Sequence, residues 1–188
     1  MRKGFTLLEL LISICGGVII LFGVLNLFSA ARVAISASGG RSELTQNGRI
    51  ALERLARDIR QAETLVTNLP ETDSDPQNPP TSEIEFQDGH DAEVLTYIRY
   101  YLTGQTLYRE TLFYSFPAEP TVHVIFNSRN EFNELPMRNT IEQAIVAEHA
   151  AEIKFFGDSL INIKITLSNN SETITMPTTI FGRNTTGT

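Results

Sequence analysis

The chain has 188 residues, 41% of them hydrophobic and 20% charged, and 15 Lys and Arg stand against 22 Asp and Glu for a net charge of −7. That length supports one domain with a modest core, and the acidic balance argues against a general electrostatic grip on nucleic acid. A single Cys excludes an intramolecular disulfide and any Cys-rich zinc site.

The apolar residues are unevenly placed. From Gly4 to Ala31 the only charged residue is Glu9, and an apolar run longer than about 18 residues reads as a membrane span. Arg2 and Lys3 precede it, so the positive-inside rule puts Met1 in the cytoplasm and the remainder on the far side, a bias that Arg32 and Arg41 weaken slightly. A secretory signal peptide fits poorly: the leader is only a few residues long and no small-x-small cleavage site closes a compact apolar core. A plain signal anchor accounts for everything except Glu9. A carboxylate in hydrocarbon costs several kcal/mol and marks a functional position that needs a proton or a partner. One apolar helix offers no partner within itself, whereas a neighbouring chain does.

Lys3-Gly4-Phe5-Thr6-Leu7-Leu8-Glu9 resembles the class III signal of type IV pilins and type II secretion pseudopilins. The resemblance implies cleavage by an inner-membrane prepilin peptidase between Gly4 and Phe5, then N-methylation of Phe5. Arg2 and Lys3 supply the leader charge. Glu9 becomes the fifth residue of the mature chain, the family's assembly contact, where the Glu of one subunit meets the new α-amine of the next. Two poorly solvated charges then satisfy each other and set register. Loss of Arg2 and Lys3 takes the net charge from −7 to −9.

Residues 1–4 are thus expected to be a cleaved leader and 5–36 a transmembrane, filament-core helix softened by Gly16-Gly17, Gly23 and Asn26. Cys15 within it reads as a small packing residue. After Gly39-Gly40, periodicity resumes at Ile50, Leu52, Leu55, Ile59, Ala62 and Val66, which predicts an amphipathic helix over 37–66. Arg49, Arg54, Arg57 and Arg60 interleave with Glu53, Asp58 and Glu63. The pairs Arg49/Glu53, Glu53/Arg57 and Arg54/Asp58 stand four apart, predicting a solvated, salt-bridged face. Residues 67–82, with four prolines, read as a polar loop.

Residues 83–188 read as a β-rich head. Strands are expected at 83–86, 94–102, 106–114 and 122–126, the second and third joined by a hairpin at Thr103-Gly104-Gln105. Thr140 to Ala150 is ambiguous between a short helix and irregular chain. Segments 153–156, 160–167 and 172–181 predict a closing antiparallel meander. The expected class is α+β: a long N-terminal helix, membrane half plus amphipathic half, packed on antiparallel sheet in a pilin-like fold.

Three further stretches narrow the resemblance to W-type minor pilins and J-type minor pseudopilins. They are 51–62 (Ala51 to Ala62), Tyr100-Tyr101-Leu102 with Thr106 to Glu110, and Thr178 to Asn184. The resemblance implies a structural subunit rather than an enzyme, without cofactor, anchored in the inner membrane with a cytoplasmic N-terminus and a periplasmic or extracellular head. Its partners would be other minor pilins or pseudopilins, the major pilin, prepilin peptidase, the inner-membrane assembly platform and membrane lipid, with no direct nucleic-acid binding. The competing class is a signal-anchored, single-pass periplasmic receptor or enzyme that never polymerises. For chemistry, the best clusters are Asp88-Gly89-His90-Asp91, which also reads as a turn, and Asp73/Asp75, which lack the EF-hand Gly and terminal Glu. His123 and His149 fall into no nucleophile motif, and no metal site is expected.

Overall fold

The computed structural model describes residues 7–90, 94–169 and 172–182. One helix, α1 (Leu7–Gln61), precedes nine strands: β1 (Ala62–Leu65), β2 (Glu83–Asp88), β3 (Tyr97–Thr103), β4 (Thr106–Phe116), β5 (Glu119–Val124), β6 (Met137–Glu148), β7 (Ala150–Phe156), β8 (Leu160–Ser168) and β9 (Thr173–Phe181). The fold is α+β, a long N-terminal helix packed against antiparallel sheets. The chain divides into two units, Met1–Ser42 and Glu43–Thr188, and each is described by itself.

In the second unit, β1-β2-β3-β4-β5 follow one another in a six-stranded sheet, and β6 pairs with β4. A separate three-stranded sheet runs β7-β8-β9. Every pairing is antiparallel. The expected hairpin is present: Thr103 pairs with Thr106, and Gly104 takes the positive φ the tight turn needs. In β8, Ile161, Ile163, Ile165 and Leu167 alternate inward, the period of a half-buried strand.

The helix lays Leu44, Ala51, Leu52, Leu55, Ala56 and Ile59 against both sheets. Ile84, Phe86, Ile98, Tyr100 and Leu107 meet it from the larger sheet, and Ile153, Phe155, Ile163, Ile165, Leu167 and Ile180 from the smaller. Burying each such Leu or Ile contributes about 1.5–3 kcal/mol, so this shared core dominates the head's stability. Gly48 lets the layers approach: a Cβ there would lie 2.6 Å from Met176 Sδ and 2.8 Å from Leu167 Cδ1. A smaller cluster of Tyr97, Leu112 and Tyr114 sits on the opposite face of the larger sheet, with Leu95, Val124 and Phe126 packed on it.

Several expectations are corrected. The amphipathic helix ends at Gln61, not 66, and Ala62–Leu65 is a strand paired with β2. Ala62 is still buried, but as a strand residue whose N–H and C=O belong to a ladder. The buried stripe is rotated from the expected one: Ile50 is exposed, while Ala51 and Ala56 face the core. Thr140 to Ala150 is neither helix nor irregular, because most of it belongs to β6. Its alternation is masked by register shifts against β4 that leave Ile141 and Val146 as extra residues.

Candidate functional site

In the first unit, α1 is long and apolar enough to cross a membrane. Leu7, Leu8, Ile12, Ile19, Phe22, Leu27 and Ile35 are all exposed. A surface this apolar, uncovered by the chain's own side chains, demands lipid or another protein. The helix interior explains its few polar groups. Ser13 Oγ donates 2.8 Å to the Glu9 carbonyl, which keeps the hydroxyl satisfied inside an apolar stretch. Arg32 lies over the Phe28 ring at 4.9 Å, a stance in which its stem covers apolar surface. Gly16, Gly17 and Gly23 have open space where a Cβ would stand, so nothing within the chain demands glycine there. Cys15 is a free, exposed thiol.

Glu9 is exposed on α1, near the first of the described residues. Arg2, Lys3, Gly4 and Phe5, the leader and cleavage residues, lie outside the described residues.

In the second unit, two carboxylate–tyrosine–arginine triads hold the head together. Asp58 Oδ2 on α1 accepts from Tyr100 Oη at 2.8 Å and from Arg109 Nε at 2.7 Å. Arg109 also donates to Thr111 Oγ1 at 2.9 Å. Asp58 and Arg109 are 12% and 16% exposed, so this ion pair is largely desolvated. Burial lifts the Tyr100 phenol well above its ordinary range, and the neighbouring Asp58 carboxylate adds to the rise. Burial opposes the Arg109 charge, and Asp58 more than offsets it, so the guanidinium titrates higher than usual. Asp58 and Arg54 are therefore not the expected pair. Among the described residues, no ion pair joins Arg49, Arg54 or Arg57 to Glu53 or Asp58.

On the far face of the larger sheet, the buried Glu85 accepts from Tyr114 Oη at 2.6 Å and from Arg138 at 2.7 Å. Burial, then the Glu85 hydrogen bond, pushes the Tyr114 phenol up to about 12. Beside it, Arg99 pairs with Glu83 and, at 3.4 Å, with the buried Glu110, which also accepts from Thr140. Arg99 lies over the Tyr101 ring at 4.3 Å. These groups cross-brace β2, β3, β4 and β6.

The candidate metal and acid–base loops are occupied by local bonding. Asp88 Oδ1 accepts from the His90 backbone N–H at 3.1 Å, a turn, and Asp91 lies outside the described residues. Asp75 Oδ1 accepts from the Gln77 N–H at 2.9 Å, while Asp73 stands 3.7 Å from Lys164. His123 Nδ1 bonds the Leu95 carbonyl at 2.9 Å and its ring stacks on Phe113. His149 sits at φ 61° where β6 passes into β7. Among the described residues, no three His, Cys, Asp or Glu gather where they could hold a metal ion.

Sequence reasoning missed the roles of Glu85, Tyr114, Arg138 and Glu110. Tyr100 and Arg109 entered only as parts of a resembling stretch, and Asp58 as part of another and as the expected partner of Arg54. The fold brings those stretches together at one carboxylate. The one signal available was Asp58 itself, an acid adjoining the buried Ile59 on the inner half of an amphipathic helix. No family model matches the chain, and no curated protein matches it.

Proposed function

We propose that this chain is a minor pilin or pseudopilin, a structural subunit cut by prepilin peptidase, N-methylated at Phe5 and built into a membrane-anchored fibre, in its initiating or tip complex. The observation that carries the reading is the division of labour along α1. Its 7–35 stretch exposes apolar side chains with one carboxylate, Glu9, and its later part supplies Leu44, Ala51, Leu52, Leu55, Ala56 and Ile59 to the core of a β-rich head. Such a helix serves two solvents in turn: lipid before assembly and neighbouring helices after it. A membrane anchor alone has no use for Glu9, whose burial is costly unless a neighbour supplies a positive charge. The cleaved α-amine of an adjoining subunit is that charge.

In this reading, Arg2 and Lys3 hold the leader in the cytoplasm. Gly4 leaves room for the scissile bond in the peptidase, and Phe5 receives the methyl group. The head lies on the periplasmic side until it is carried into the fibre. The inner-membrane assembly platform, the major pilin and other minor subunits are its partners, through α1 and the head together. Co-expression with prepilin peptidase and intact-mass measurement tests the reading. The mature chain should start at a methylated Phe5, and Gly4→Val should leave the leader in place. A mature N-terminus elsewhere, or an uncut chain in the presence of active peptidase, would refute it.

A further inference from the structure

We propose that the arginine face of α1 is a docking groove for an acidic polypeptide segment of another protein. Arg49, Arg54, Arg57 and Arg60 are all exposed on one stretch of helix, and among the described residues none of them forms an ion pair. Their nearest acids do not serve them. Asp58 and Arg109 also line one groove but are paired with each other, which leaves Glu53 as the one other carboxylate lining the grooves beside Arg49, Arg54, Arg57 and Arg60. In a chain of net charge −7, an uncompensated cluster of this sign is a local reversal, and a field of that kind steers partners of opposite charge.

The shape around the arginines suits a polypeptide. A cleft of about 450 Å³ runs between Arg49, Arg57 and Arg60 and the outer strand β9, where Met176, Pro177 and Thr178 form its other wall. Leu52 and Ala56 form its apolar floor. A second cleft of about 460 Å³ lies on the other side of Arg57, between Ile50, Arg54 and Arg109. An apolar floor below guanidinium walls accepts the methylene stems of Glu side chains while their carboxylates take paired N–H donors. Pro177 has no N–H, so the β9 edge cannot extend a regular ladder onto an incoming strand. Recognition therefore rests on side-chain charge rather than on strand addition. Nucleic acid is disfavoured, because a polyanion longer than the groove meets the acidic remainder of the chain. The groove lies wholly in the second unit and does not depend on cleavage at Gly4 or on fibre assembly.

The test uses the full chain in detergent micelles and fluorescently labelled decaglutamate, read by anisotropy at low salt. Arg57→Glu and, separately, Arg60→Glu should each weaken binding about tenfold, and Glu53→Gln should strengthen it about two- to threefold, because the first two reverse a groove charge and the third only neutralises one. All three positions are exposed, so circular dichroism should match the parent. Arg129→Glu, a reversal of the same size away from the groove, should leave binding within about twofold. An equal loss with Arg129→Glu would reduce the effect to net charge and overturn the proposal. So would absence of decaglutamate binding, or tighter binding of a single-stranded oligonucleotide of equal charge.

Discussion

Replacing Asp58 by Asn keeps the shape of the side chain and removes its charge. In the folded head that charge is held between Tyr100 Oη at 2.8 Å and Arg109 Nε at 2.7 Å, with Asp58 12% and Arg109 16% exposed. The substitution leaves the Arg109 guanidinium largely desolvated without a counter-charge. Breaking a buried pair by removing one partner costs about 3–5 kcal/mol; the small residual exposure here places the loss near 3. For a domain of this size that corresponds to a fall in Tm of about 6–12 °C. Tyr100→Phe should cost less, about 1 kcal/mol, because the ion pair survives and only one hydrogen bond is lost. Arg109→Met should recover most of the Asp58→Asn loss, since no unpaired charge then remains. The assay is thermal and urea unfolding of the full chain in detergent micelles, followed by circular dichroism in the sheet region, with the double-mutant cycle completed. A loss below about 1 kcal/mol for Asp58→Asn, or strict additivity with Arg109→Met, would show that water already solvates the pair and that it does not clamp helix to sheet.

Gly157→Ala should destabilise the head by about 3 kcal/mol or more, because φ is +117° and a Cβ would lie 1.9 Å from the Leu160 carbonyl oxygen; unfolding midpoints check this. Stability should fall at alkaline pH. Tyr114 and Tyr100 both titrate above the ordinary value of 10.0, so the unfolded chain loses those protons first. The Tyr114 contribution is complete below pH 10.0 and is lost as pH rises through about 12, that of Tyr100 goes on falling to higher pH, and Tyr114→Phe should flatten the lower part of the Tm-against-pH curve. Glu9→Leu should leave membrane insertion and Gly4–Phe5 cleavage intact, because hydrophobicity rises and the cleavage residues are unchanged. It should lower fibre number and crosslinking between Phe5 and Glu9 of neighbouring subunits; normal values of both would contradict the assembly role of Glu9.

The amino-acid sequence alone determined whatever depends on near neighbours. The apolar run of α1, the Gly104 hairpin and the inward set Ile161, Ile163, Ile165 and Leu167 were legible because their periods lie within a few residues. Lys3 to Glu9 were legible as a stretch that resembles a processing signal, a likeness carried by adjacent residues alone. Tertiary structure decided the rest. Helical periodicity runs on through Ala62 and Val66, yet Ala62–Leu65 becomes β1 because β2, some twenty residues on, offers a ladder there. β6 hid its alternation because two extra residues shift its register against β4, a property of the pair and not of the strand. Asp58 took Arg109, 51 residues away, over Arg54, four away, because it lies at the edge of the helix's buried face and the charge beneath it comes from the sheet. Desolvation makes the pair on the sheet side the stronger of the two, and a surface pair four residues apart on a helix is too weak to compete with it.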